Sequence, residues 1–301
     1  MWEMLVEPER SIPLSALELI VHQGENLKIP FSRSDLINDI NEYWSTFTKD
    51  MALRFKDRIR DALMRGDDEA YARAIQHISG ISSMYRLNGA SLDNTRLVLN
   101  IGVTDFKEYI GTTQRALQDP SFRTRIMNFG LEDHANPNYY FANPLSTCAV
   151  LVTADNYVPI GLRGNTVAIY PNTHHIIGGY VKINEDKSTS FCEKYIDLFA
   201  NMKKELEQEI GVTSPDITSV DFLGIARNTI TRGPEALYFV QLTLTRDELE
   251  QRWKNRARDK YEHRNLTFYP KAELCCFLEQ QKGNIVPSGE AALTLFMQHY
   301  Q

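Results

Sequence analysis

The chain has 301 residues, 43% apolar and 24% charged, the composition of a folded chain of one large domain or two modest ones. Its net charge of −6 and lack of a long basic run argue against a nonspecific grip on nucleic acid or an anionic membrane surface. No apolar run approaches bilayer-spanning length, and the opening MWEMLVEPERSIP lacks a basic-then-apolar leader pattern, so a cytoplasmic protein without a membrane partner is expected.

In chain order, residues 1–82 read as an N-terminal helical region with few strand signals. Ser34 stands as a cap before LINDINEYWSTFTKDMALRFKDRIRDALMRG, whose apolar residues recur at helical spacing. A shorter helix is expected at DDEAYARAIQHI. The texture changes near residue 83, where MYRLNGASL and TRLVLNIGVT form a β-rich pair around LDN, a hairpin signal. DFKEYIGTTQRALQ reads as a helix, and FRTRIMNFGLEDHANPNYYFANP as a loop rich in aromatic, Asn and Pro residues. CAVLVTAD, YVPIGLR and TVAIYP read as short strands, followed by HHIIGG and a long polar stretch. Beyond Gly211 come strands SVDFLGIARN and ALYFVQLTL, the charged helix RDELEQRWKNRARDKY, strand LTFYP, and helices near 271–281 and 289–300. The order predicts an α/β (α+β) sandwich with a mixed sheet. Of the cysteines, Cys148 and the pair Cys275-Cys276 read as buried thiols and Cys192 lies in a mixed stretch. No CxxC pair suggests zinc, and a reducing cytosol fits.

The stretch KKELEQEIGV, 203–212, concentrates glutamates where a helix disfavours them. Gly211 is a helix stop, which puts Glu205, Glu207 and Glu209 near the negative end of the dipole. Glu205 and Glu209 are four apart, so they share a face and repel. A divalent cation relieves that strain, since Mg²⁺ favours carboxylate oxygens; a solvated acidic helix end is the plainer alternative. Phe199, Met202, Leu206 and Ile210 give this helix a core-facing stripe with the glutamates at its flank.

These residues fit a known signature. Lys204, Glu205, Leu206, Glu207, Gln208, Glu209, Ile210, Gly211 and Val212 align with the second half of the Nudix box, and Gly179 and Glu185, with five residues between them, align with the first half. The chain therefore resembles a Nudix hydrolase. It departs from the pattern in three places: 18 residues (186–203) replace seven, Lys204 stands for the box arginine, and Gln208 for a glutamate. LVLNIGVTDFKEYIGT, ANPLSTCAVLVTADNYVPIGLR and FLGIARNT before ALYFVQLTLT narrow the resemblance to the motif-22 type UDP-glucose pyrophosphatases, from about residue 83 to 280.

The resemblance implies a Nudix-type αβα sandwich over residues 83–301. It implies Mg²⁺, with Mn²⁺ as substitute, held by Glu205, Glu209, Gln208 and the Gly179 backbone. The substrate implied is a nucleotide sugar such as UDP-glucose, split to UMP and hexose 1-phosphate. Another nucleotide sugar, ADP-ribose, or a non-catalytic nucleotide- or protein-binding module are the alternatives. Glu262, before LTFYP, stands where Nudix enzymes often place a late carboxylate acting as base or ligand; a surface acid in a charged helix is the alternative. Arg227 and Arg163 are either phosphate ligands or surface ion-pair partners, Asn228 joins Arg227 as a substrate contact, and Gly178-Gly179 lets backbone approach phosphate. His174-His175 read as strand residues, and Tyr139, Tyr140 and Phe141 as core or a base-stacking loop. The partner of the N-terminal helices is unknown.

Overall fold

The computed structural model describes residues 1–24, 33–66, 83–164, 167, 169–183, 196–258 and 262–300. The helix expected at DDEAYARAIQHI, most of the polar insertion, Glu185 and Cys192 lie outside these residues.

The first 23 residues carry three strands and one short 3-10 turn at Leu14–Ala16 rather than an α-helix: β1 (Trp2–Val6), β2 (Ile12–Pro13) and β3 (Glu18–Gln23). A long helix follows, Ser34–Arg65, as the periodicity predicts. The hairpin is β4 (Ser83–Asp93) and β5 (Arg96–Asp105), turning at Asn94, whose φ of 55° suits an Asn in the left-handed region. Then come helical segments Phe106–Glu108, Tyr109–Gln114 and Arg115–Gln118, and a helix at Pro120–His134. That last helix corrects the loop reading. Asp119 caps it by accepting from the Phe122 N–H, Pro120 occupies its first turn, and the Asn/Pro-rich residues begin only after its end at Ala135.

The remaining strands are β6 (Ser146–Val152), β7 (Tyr157–Arg163), β8 (His174–His175), β9 (Ile177–Tyr180), β10 (Ile217–Asn228), β11 (Pro234–Leu242) and β12 (His263–Pro270). The described residues of TVAIYP lie in no strand. Helices occupy Leu198–Glu205, Arg246–Arg256, Leu274–Gln280 and Pro287–Tyr300.

The central six-stranded sheet runs β1-β10-β11-β6-β9, with β2 also on β10; β11 and β6 are parallel and the other pairs antiparallel. Smaller sheets are β12-β7-β8 and β3-β5-β4. Alternation along the strands splits the core into two layers. Ala149, Leu151, Ala236 and Tyr238 face the helix carrying Phe199, Met202, Leu206 and Ile210, all buried as the stripe predicts. Cys148, Val150, Leu237 and Phe239 face the C-terminal helix through Leu293 and Phe296. The molecule is thus a helix–sheet–helix sandwich of mixed α/β class.

β1 corrects the picture of an N-terminal region made of helices. Its Trp2 to Met4 pair with Asn228 to Ala226, and Glu3 meets Arg232 at 2.8 Å. Pairing with a distant strand, rather than local pattern, makes this acid-flanked run β. Tyr140 and Phe141 are core residues beside Leu36, Ile40 and Ile126. Cys275 and Cys276 are exposed, against expectation, because the helix 274–280 turns Leu274 and Phe277 inward instead. Among the described residues no helix is long and apolar enough to cross a membrane.

Candidate active site

The glutamate helix starts at Asp197, whose carboxylate accepts from the Phe199 and Ala200 N–H groups. Its last turn, Leu206–Ile210, widens to a π turn, and Gly211 ends it at φ 73°. Glu205 and Glu209 sit on either side of that transition, 8% and 2% exposed, so neither is a solvated helix-end acid.

Glu205 is seated against the edge strand β9. A Cβ on Gly179 would lie 2.5 Å from the Glu205 Cδ and 2.8 Å from each carboxylate oxygen. Only glycine lets this backbone lie flat on the carboxylate. Burial and then the repulsion of Glu209 push the Glu205 carboxyl up to about 8, Glu262 adding to the rise and Lys182 and Lys204 opposing it.

Glu209 lies behind Glu205, away from the cavity wall. Its Oε2 shares a hydrogen bond with His263 Nε2 at 2.7 Å, both side chains being almost fully enclosed. Burial pulls His263 down to about 4, so the ring is neutral. Gly161 on the neighbouring strand makes room for that ring: a Cβ there would lie 2.1 Å from His263 Nδ1.

A cavity of about 240 Å³ opens beside Glu205. Glu205, Glu262, Lys182, Gly178 and Gly179 line one part of it. Phe106, Tyr109, Tyr170, Tyr180 and Ile169 form an aromatic and apolar wall, with Met51 of the long N-terminal helix contributing. Tyr109 and Tyr180 meet edge to face at 5.0 Å. Arg163, Asn228, Ser146, Ser288, His175 and Glu235 supply the polar remainder. Arg163 Nε donates to the Ile169 carbonyl at 3.2 Å, and Asn228 Nδ2 to the Tyr170 hydroxyl at 2.7 Å.

The cavity therefore gathers Glu205, Glu262, Arg163, Asn228, Gly178 and Gly179 from the sequence-derived set. Arg227 is not among its lining residues. It is the neighbour of Asn228 on a strand, so it takes the opposite face, where its Nη1 lies 4.0 Å from Glu3. Gln208 is half-exposed and also outside the lining, a quarter-turn round the helix from Glu209. His174 packs edge-on against Phe277, while His175 lines the cavity. Lys182, His263 and Glu235 escape a sequence reading. Glu235 alone left a signal, as the one charged residue in the apolar strand PEALYFVQL.

The donor set suits Mg²⁺. Among the described residues no three metal-ligating side chains already form a cage. Mg²⁺ does not require one, since it keeps several waters and binds through one or two carboxylates plus substrate phosphates. The buried, mutually repelling acids and the notch at Gly179 are the features such an ion would satisfy.

No family model matches the chain. Among curated proteins it is similar to the uridine diphosphate glucose pyrophosphatase NUDT22 of Mus musculus, 24% identical over 229 residues covering 71% of this chain and 73% of that protein. The Homo sapiens counterpart is 23% identical over 227 residues, covering 70% and 73%. Nudix hydrolase 9 of Arabidopsis thaliana is 22% identical over 192 residues, 60% of each chain. Among solved structures, the MutT protein of Methanosarcina mazei overlaps 52% of this chain and 96% of its own at 13% identity and a TM-score of 0.34. A Nudix hydrolase from Nitrosomonas europaea overlaps 52% and 88%, at 8% identity and 0.35. These overlaps are too partial to bear on the site. The sequence relatives are thus homologues that bear the names of UDP-glucose pyrophosphatases and of a Nudix hydrolase.

Proposed function

We propose that the chain hydrolyses the pyrophosphate bond of a UDP-sugar such as UDP-glucose, in a reducing cytosol, releasing UMP and a hexose 1-phosphate. The observation that carries this reading is the Glu205 carboxyl, buried on the cavity wall against Gly179 with Glu209 and Glu262 close enough to raise it. The names of the sequence relatives supply the substrate.

Glu205 and the Gly179 carbonyl would hold Mg²⁺, with Glu209 behind them. Mg²⁺ (or Mn²⁺) supplies charge neutralisation and Lewis acidity to the pyrophosphate. Arg163, Lys182 and Asn228 bind and orient the phosphates, Arg163 as a planar donor. The Glu262 carboxylate takes the proton of the attacking water. The water oxygen joins one phosphorus, the bridging P–O bond breaks, and the two monoesters leave. Met51 and the Tyr109–Tyr180 wall shield the cleft from bulk water. Arg227 and Gln208 have no part in this scheme.

A non-catalytic binding pocket finds its support in Glu209, whose Oε2 is engaged by His263. A panel of UDP-, ADP- and GDP-sugars and ADP-ribose, assayed with and without Mg²⁺, separates the two. The expected result is Mg²⁺-dependent release of UMP and hexose 1-phosphate. Absence of turnover for every member, with Mg²⁺ or Mn²⁺ present, would overturn the hydrolase reading.

A further inference from the structure

Three adjacent strands place Tyr180, Ser146 and Glu235 in one row: Tyr180 of β9 pairs with Ser146 of β6, which pairs with Glu235 of β11. Partners in register share a face, and all three line the cavity. Glu235 lies deep in the protein yet keeps accessible surface, because that surface belongs to the cavity. Burial raises its carboxyl above the ordinary carboxylate range, against the opposing influence of the neighbouring Ser288, Cys148 and Ser146; the Ser146 hydroxyl itself donates to the Pro234 carbonyl at 3.1 Å. Ser288 belongs to the first turn of the C-terminal helix Pro287–Tyr300, and His175 lines the same floor, its Nδ1 unpartnered beside Gly289. Glu235, Ser146, Ser288 and His175 have no work in the hydrolysis scheme.

Resting on the reading above, we propose that Glu235, with Ser146 and Ser288, forms the subsite for the polyhydroxyl half of the substrate, the hexose. Strand spacing sets the distance. Glu235 is two strands, roughly 10 Å, from the β9 edge, on the sheet face opposite the one that Gly179 and Glu205 occupy, and the one cavity is lined by both. The chemistry sets the class. A carboxyl flanked by hydroxyls offers acceptors and donors at close spacing, which match vicinal hydroxyl groups. A flat base finds its partner elsewhere in the cavity, on the rings of Phe106, Tyr109 and Tyr180. A phosphate is excluded from Glu235, since an acid there meets it oxygen to oxygen.

The two products report on the two halves separately. Inhibition constants of glucose 1-phosphate and of UMP are measured against UDP-glucose hydrolysis in the wild-type protein, Glu235→Ala and Ser288→Ala, with melting temperatures alongside. Glu235→Ala raises the glucose 1-phosphate constant about tenfold, a single lost hydrogen bond's worth, and leaves that of UMP unchanged. Ser288→Ala moves the same constant in the same direction by less, and serves alone where Glu235→Ala does not fold. A rise confined to UMP would assign Glu235 to the base, and unchanged constants in both variants would make it structural; either overturns the proposal. If the wild-type protein hydrolyses no nucleotide sugar, the hydrolase reading fails by itself. Calorimetric binding of glucose 1-phosphate and UMP to the same three proteins then still decides the subsite.

Discussion

One cavity holds two buried carboxyl groups, Glu205 and Glu235, and the protein treats them oppositely. Glu205 faces other acids, and its nearest backbone is stripped of a side chain at Gly179. Glu235 has serine hydroxyls, a thiol and the charge of Arg163 in its surroundings and no second acid. Both are raised by burial, but only Glu205 is raised further by neighbouring carboxylates. An acid left among acids is a place for a cation; an acid set among hydroxyl groups is a place for recognition.

The comparison breaks first at Glu205. Glu205→Gln keeps the shape and removes the charge, so turnover falls by more than about 100-fold, beyond what outer-shell changes cost at a metal site. The metal-free protein responds in the other direction. The fold holds the proton on Glu205 more tightly than the unfolded chain does. Its contribution is therefore complete below the ordinary value of 4.5 and is lost as pH climbs through about 8. Gln cannot lose a proton, so metal-free Glu205→Gln melts higher than wild type relative to its own value at low pH once the pH exceeds 8. Thermal melts at pH 5 and 9 check this, and adding Mg²⁺ restores wild type alone. Equal turnover in the two proteins would sink the metal assignment.

Gly179→Ala tests the seat rather than the charge. The added methyl overlaps the Glu205 carboxylate and displaces it by about 1 Å, a misplacement that costs on the order of 100-fold in kcat. The φ at Gly179 is not in the left-handed region, so far-ultraviolet circular dichroism stays unchanged. Unaltered kcat would show that Glu205 need not lie where the structure puts it.

His263→Ala acts one layer out, through Glu209. Removing the imidazole frees the Glu209 carboxyl from its 2.7 Å hydrogen bond, and Mg²⁺ affinity measured by calorimetry weakens about 10- to 100-fold. An inhibition constant for glucose 1-phosphate that worsens as much as Mg²⁺ affinity would mean the whole cavity has collapsed, which erases the contrast.

Gln208→Glu is the smallest. Box alignment alone suggests that restoring a glutamate tightens Mg²⁺ binding, but Gln208 is half-exposed and outside the cavity lining. The variant changes Mg²⁺ dependence by less than about threefold, as surface charges do. A larger change in a Mg²⁺ titration would bring Gln208 back into the site.

Whereas the turn expected at Gly178-Gly179 is strand β9, the sequence by itself determined the box helix, its Gly211 stop, its buried stripe and the β4–β5 hairpin. Each is written in a few neighbouring residues, by helical or alternating period or by glycine. It also indicated the pairing of Glu205 with Glu209, because four residues on a helix fix their common side. The tertiary structure decided everything that depends on which strands lie together. Register across β9, β6 and β11 puts Glu235, 56 positions beyond Gly179, on the cavity floor. The β12–β7 pairing brings His263 to Glu209 through the space at Gly161, and pairing to β10 turns the opening residues into a strand that carries Arg227's acid partner. Side chains on a strand alternate, so one position separates Asn228 in the cavity from Arg227 outside it, and no local pattern states which of the two faces is the occupied one.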